Sequence, residues 1–209
     1  MTSAPLSIRR FSGAALNEHL DDLARLRIEV FRDFPYLYDG TMDYERKYLQ
    51  TYAACPDAVV VIAFAGAEVV GASTGIPLAF EEPHFRQPLS ERGYDPARVF
   101  YCAESVLLAT WRGKGIGARF FEEREAHARA LGGFDWYCFC AVQRPADHPL
   151  RPLAYRPLDG FWQKRGYTQQ PGLTASYSWK DIDQQEETSK TLQFWLKSVA
   201  CAAGDTHIF

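Results

Sequence analysis

Long apolar runs are missing from this 209-residue chain, and none reaches the roughly 20 residues that a membrane-spanning helix needs. The opening Met-Thr-Ser-Ala-Pro has neither the charged nor the apolar region of a secretory signal, so a cytoplasmic location without a membrane partner is expected. A strong charge of either sign is missing too. The net charge of −3 argues against a nucleic-acid partner, for which a basic face is needed. Cysteine is scarce and odd in number, five at irregular spacing, which excludes a disulfide framework. Cys138 and Cys140 alternate on one face of an expected strand and are too few to ligate zinc, so buried thiols and no metal are expected. Internal repeats and long linkers are also absent. The expectation is one domain over residues 1–199 and a loose tail over 200–209, with 47% apolar residues, enough for a sizeable core.

What is present centres on Val99 to Leu131. Val-Phe-Tyr-Cys-Ala-Glu-Ser-Val-Leu-Leu has the aromatic and β-branched content of a buried strand. From Ile116 the period changes to that of a helix, with Ile116, Phe120, His127 and Leu131 on one stripe and Glu122, Glu125 and Arg129 opposite. Between them lies Arg112-Gly113-Lys114-Gly115-Ile116-Gly117, three glycines and two cations. Glycine lets the backbone approach a ligand closely, and the first N–H groups of the following helix point at it, so the turn reads as an anion cradle suited to a phosphate ester. A Walker A loop lacks its residues here, and glycines spaced by two throughout misplace the third glycine of a dinucleotide fingerprint.

Around this centre, the chain reads as a strand over Leu6–Phe11, a helix or broken pair over 14–34, an aromatic turn over 34–40 and a helix over 43–53. Strands over 58–65 and 68–76 form a hairpin about Gly66-Ala67. Residues 77–98, with four prolines, read mostly as a surface loop that covers something or hides a helix, with His84 solvated. After the 116–131 helix come a strand over 134–142 and an irregular, proline-rich stretch over 143–158. A short helix over 159–165, closed by Gly166, precedes strands over 173–179 and 191–199, which flank a polar excursion.

The pattern Arg-x-x-Gly-x-Gly over Arg112–Gly117, opening a helix after a central strand, resembles the pyrophosphate turn of the GNAT superfamily of acyl-CoA-dependent N-acetyltransferases. Phe161-Trp-Gln-Lys-Arg-Gly-Tyr167 resembles the family's Phe-Tyr-x-Lys-x-Gly-Phe ending. The resemblance implies an α/β (α+β) fold with a mixed, strongly bent sheet of about seven strands and helices on both faces. It implies acetyl-CoA as co-substrate, held by Arg112, Gly113, Lys114, Gly115, Ile116 and Gly117. The pantetheine arm would bond the backbone of Leu107 and Leu108. One departure matters: where many members have a tyrosine that protonates the departing thiolate, this chain has Trp162, and the family's upstream Asn falls near Tyr155.

The chemistry implied is loss of a proton from an alkylammonium, attack on the thioester, and stabilisation of the oxyanion and thiolate. Glu104, the only carboxylate in the central strand, is the candidate base, and the alternative is a Glu satisfied by a neighbouring Arg or by backbone. Period-two counting puts Tyr101 on the opposite face unless a bulge changes the parity, so Tyr101 is second choice. Tyr155 is the candidate acid, and His127 reads as a satisfied core histidine. Tyr36, Tyr38 and Asp39, in the connection of the first two helices, form a candidate acceptor wall for a small-molecule amine, through aromatic faces and a carboxylate. A non-catalytic acyl-CoA-binding module is the other reading, and the oligomeric state is open between monomer and homodimer.

Overall fold

The computed structural model describes residues 5–199; residues 1–4 and the expected tail, 200–209, lie outside the described part. Seven strands form one sheet in the order β1-β2-β3-β4-β5-β7-β6, where β1 is Leu6–Phe11, β2 Val59–Ala65, β3 Glu68–Pro77, β4 Val99–Leu107, β5 Trp136–Val142, β6 Thr168–Lys180 and β7 Glu187–Ser198. All neighbours are antiparallel except β4 and β5. Alternation sends Val60, Ile62, Ala72, Tyr101, Val106, Cys138 and Phe194 to one face, under α1 (Leu20–Phe31) and α2 (Met42–Ala54). Val59, Val61, Phe100, Cys102, Tyr137 and Trp195 go to the other, under α4 (Ile116–Leu131). The α/β expectation with helices on both faces therefore holds. No helix among the described residues is long and apolar enough to cross a membrane. Cys55, Cys102, Cys138 and Cys140 are free and buried, as expected; Cys201 lies outside the described residues.

Several boundaries differ from expectation. The first helical stretch is a broken pair, a 3-10 turn over Gly13–His19 followed by α1. Residues 77–98 contain a helix, α3 (Pro83–Glu91), between short 3-10 turns. Pro83 sits at the start of α3, where its missing N–H has no intrahelical partner to lose. His84 is half-buried rather than solvated: its ring packs 5.0 Å from that of Tyr177, and burial lowers its pKa. The polar excursion is shorter than expected, because β6 and β7 stay paired out to Lys180↔Glu187.

On α4 the apolar stripe includes charge. Arg124 and Glu125 are buried while Leu131 is exposed, which corrects the placing of Glu125 on the solvent side. Lys197 pairs with the Glu125 carboxylate at 2.7 Å and the Tyr167 hydroxyl donates to it at 3.1 Å, so its burial is compensated. His127 shares a hydrogen bond with the Asp57 carbonyl at 3.0 Å, as a satisfied core histidine would.

Candidate active site

The site begins with a seam. β4 pairs with β3 along its length but with β5 over only Val99↔Trp136, Phe100↔Tyr137 and Tyr101↔Cys138. Beyond those three pairs the strands part, and among the described residues no strand pairs with the β5-facing edge of β4 from Cys102 to Leu107. Leu108 N–H donates to the Val70 carbonyl at 3.0 Å, so its amide is committed to β3. Main-chain groups alternate along a strand, so Val106 and Glu104 also face β3, whereas Ser105 and Leu107 face the gap. The Leu107 carbonyl accepts from Arg112 Nε at 3.2 Å. Of the expected pair Leu107 and Leu108, only the Leu107 N–H is thus turned to the gap, and Ser105, which was not anticipated, supplies the other groups.

At the open end of the gap lies the turn before α4. Gly113 and Gly115 have φ of +77° and +81°, which L side chains rarely adopt. A Cβ built on either meets no atom within 4 Å, so it is backbone conformation and not crowding that selects glycine. Gly117 differs: its Cβ would lie 3.5 Å from the Phe161 ring, so it faces α5 (Asp159–Gln163) and not the turn's open side. No side chain caps α4 and its first turn holds no acid, which leaves the N–H groups of Ile116 and Gly117 available to an anion. Lys114 Nζ lies 4.3 Å from the centre of the Trp111 ring. Arg112 bridges the Leu107 carbonyl and, at 3.5 Å, Asp33.

Between Thr74↔Glu104 and Ile76↔Tyr101, β4 has one more residue than β3. This bulge at Cys102 and Ala103 brings Tyr101 and Glu104 to the same face, which period-two counting had separated. Arg124, buried beneath the sheet, pins the bulge, its Nη1 donating to the carbonyls of Glu104 at 2.9 Å and Thr74 at 3.2 Å.

Glu104 does not stand free. Arg27 of α1 pairs with it and with Glu45 of α2, so one guanidinium is shared by two carboxylates. Arg27 is 6% exposed and Glu45 is 0%. The guanidinium pairs with Glu104 Oε2, and the geometry matches the alternative of a Glu satisfied by a neighbouring Arg. Arg27 was missed in the sequence, although its position on the Leu23–Arg27–Phe31 stripe is the signal that could have found it.

Tyr101 is buried, and desolvation raises its phenol well above the ordinary range. Tyr36 packs its ring 4.4 Å from Phe31; burial, reinforced by Cys140, pushes its phenol up to about 12. Tyr155 lies at the rim of this region, its ring edge-on to Phe34 at 4.7 Å and its phenol raised by burial. Tyr38 is half-buried, raised by burial and by the adjacent Glu45 carboxylate. Asp39 is corrected: its carboxylate already pairs with Lys180 at 2.5 Å and Arg32 at 3.6 Å, and Lys180 lowers its pKa, so it does not offer an unpaired charge to a cation. Trp162 packs under the sheet, 5.0 Å from Phe139 and 5.1 Å from Trp195, where its ring fills space and supplies no labile proton.

Two further groups escaped the sequence reading. Glu81, just after β3, is buried and accepts from Tyr52 Oη at 3.2 Å, and Tyr48 and Tyr52 hydroxyls lie 2.9 Å apart. Desolvation raises the Glu81 carboxyl above the usual carboxylate range. Arg144, after β5, donates four hydrogen bonds: two to Asp181 at 2.7 and 2.9 Å, one to the Pro35 carbonyl at 2.8 Å and one to the Tyr36 carbonyl at 2.7 Å. It thereby holds the α1–α2 connection against the β6–β7 hairpin.

No protein-family model and no curated protein matches the chain in sequence. Solved structures do match in fold. An acetyltransferase from Thermus thermophilus superposes with a TM-score of 0.57 at 15% identity, over 95% of this chain and 100% of that one. A GNAT-family acetyltransferase from Streptococcus pneumoniae gives 0.56 at 15% identity, over 93% and 100%. A ribosomal-protein-alanine N-acetyltransferase from Brucella melitensis gives 0.60 at 14% identity, over 92% and 99%. The chain has the fold of GNAT acetyltransferases.

Proposed function

With that fold as premise, we propose that the chain is an acetyl-CoA-dependent N-acetyltransferase acting on a primary amine of a small, amino-acid-like acceptor. The observation that carries the reading is the uncapped start of α4, placed behind the left-handed Gly113–Gly115 turn at the open end of the β4–β5 gap. A diphosphate fits there, taken by the N–H groups of Ile116 and Gly117 and by Lys114. An extended pantetheine fits the free edge of β4, with Ser105 and Leu107 as its main-chain partners. The acceptor side is lined by Tyr36, Tyr38 and Glu104, with the buried Arg27–Glu45 pair behind them; aromatic faces above a cluster of net negative charge suit an ammonium. The amine nitrogen attacks the thioester carbonyl, the C–N bond forms, the C–S bond breaks, and the thiolate takes a proton.

Gly115→Val tests the carrying observation. A β-branched residue cannot adopt φ of +81° without strain, so the turn must reshape and the N–H groups must move. Calorimetry of coenzyme A should show affinity at least about ten-fold lower, about 1.4 kcal/mol. Unchanged affinity in a folded variant removes the assignment.

The packing of Trp162 and the pairing of Glu104 favour a second reading, an acyl-CoA-binding module without catalysis. Release of coenzyme A from acetyl-CoA against a panel of amines separates the two: any acceptor-dependent turnover excludes the second.

A further inference from the structure

Glu81, Tyr52 and Tyr48 form a chain of hydrogen bonds with a direction. A phenol has one hydrogen to donate. Tyr52 gives its own to Glu81 Oε1, so in the 2.9 Å contact between the two phenols Tyr48 is the donor and Tyr52 the acceptor. The Tyr48 oxygen is left as an acceptor at the head of the chain. The Tyr48 ring borders the candidate site: the Arg27 guanidinium, which pairs with Glu104, sits 4.2 Å from its centre. Tyr48 is half-buried, while Tyr52 and Glu81 are buried. The chain therefore leads from the acceptor side of the site to a carboxylate that Arg27 does not occupy.

We propose that Tyr48, Tyr52 and Glu81 are the route by which the acceptor ammonium loses its proton, with Glu81 as the terminal proton acceptor. The proposal rests on the acetyltransferase reading. The ammonium gives a proton to the Tyr48 oxygen as Tyr48 passes its own to Tyr52 and Tyr52 passes its own to Glu81 Oε1. The nitrogen lone pair so freed forms the C–N bond, the C–S bond breaks, and the thiolate carries off the electron pair and takes the second proton that the acylated nitrogen sheds. The proton on Glu81 returns to solvent, so one turnover releases one proton.

The surroundings of Glu81 suit a group that takes up and gives back a proton. Tyr52 of α2 and the Glu82 N–H, at 3.4 Å, donate to it; Tyr48 of α2, Tyr101 of β4, and Cys138 and Cys140 of β5 are near enough to feel its charge, and burial keeps all of these phenols and thiols neutral in the ordinary pH range. From α3, Arg86 donates instead to the Ala79 carbonyl at 3.3 Å, and His84 lies against Glu82. Burial, with no salt bridge to Glu81 among the described residues, raises the carboxyl toward the operating pH, where an acid–base group works best.

The test is the pH profile of kcat/KM for an amine that the wild type acetylates, measured for Glu81→Gln, Tyr52→Phe and the double variant. Gln keeps an oxygen for Tyr52 but takes no proton. The expected result is a fall of about 10²-fold near neutrality, within the usual range for acid–base catalysis. The residual rate should rise in proportion to hydroxide, KM for acetyl-CoA should stay unchanged, and the double variant should be no slower than either single one. Should Glu81→Gln fail to fold, Tyr52→Phe, which removes one hydroxyl, decides alone. A folded variant whose pH profile matches an active wild type overturns the relay and leaves the acetyltransferase reading standing. A wild type that acetylates no amine overturns that reading and the relay with it.

Discussion

Arg27→Met is expected to destabilise the protein by about 3–5 kcal/mol, because it leaves two carboxylates without their shared counter-charge in a buried site. For a chain of this length that corresponds to a fall in Tm of roughly 6–20 °C. Arg27 is held between α1, α2 and β4, and its guanidinium also lies 4.2 Å from the Tyr48 ring centre and 5.1 Å from that of Phe31. Met fills most of the volume, so the loss reports charge and not a cavity. Adding Glu45→Gln to Arg27→Met should recover part of the loss, since it removes the charge that is 0% exposed. Arg27→Lys should fall between, because an ammonium reaches one carboxylate at a time and lacks the planar fork. Thermal melts of the four proteins check this, and a loss under about 1 kcal/mol for Arg27→Met would show that the cluster does not stabilise the fold.

A loss of similar size, about 3–5 kcal/mol, is expected for Arg144→Leu, which breaks a buried bidentate pair with Asp181 and leaves the Pro35 carbonyl without this donor and the Tyr36 carbonyl with Trp179 Nε1 alone. Its signature is in the pH dependence. Burial works to raise the Asp181 carboxyl, but the hydrogen bonds of Arg144 and Lys190 outweigh it and hold the group below the usual carboxylate range. A native pKa below the unfolded one means that this group's stabilisation is complete above the ordinary carboxylate value and is lost as pH falls through the depressed native value. In Arg144→Leu the strongest lowering influence is gone, so acid unfolding should begin at higher pH than in the wild type. Denaturant midpoints between neutral and acid pH measure it, and a variant that loses stability by the same amount at every pH would refute the account.

The strand, turn and helix over Val99–Leu131 were legible because each signal is local: β-branched and aromatic residues, then glycines, then a helical period. The buried charges were not. Arg27 meets Glu45 and Glu104 across 18 and 77 residues of chain, and Arg144 meets Asp181 across 37, separations that no periodicity reports. What the sequence does show is a charged residue on an apolar stripe, at Arg27 and Arg124, and each of these is buried. The bulge in β4 changed which face Glu104 occupies, and a bulge depends on the partner strand as much as on the residues within it. α3 was hidden by its prolines, of which Pro83 starts the helix and Pro88 interrupts its bonding without ending it.

The three-pair seam between β4 and β5 also bears on how the molecule opens. It divides the sheet into a half of four strands and a half of three, each continuous within itself, joined by a short ladder at one end. Separation along that joint breaks far fewer main-chain bonds than separation anywhere else between β2 and β7, so local opening concentrates there. Those amide hydrogens of Val99–Tyr101 and Trp136–Cys138 that point into the joint should exchange by this route faster than those of β2 and β3. A molecule lying in the gap and bonded to both halves would act as a staple across it. At a free concentration 100 times its Kd such a staple adds about 2.7 kcal/mol to the folded state. Its imprint on deuterium uptake should be sharpest at the seam itself.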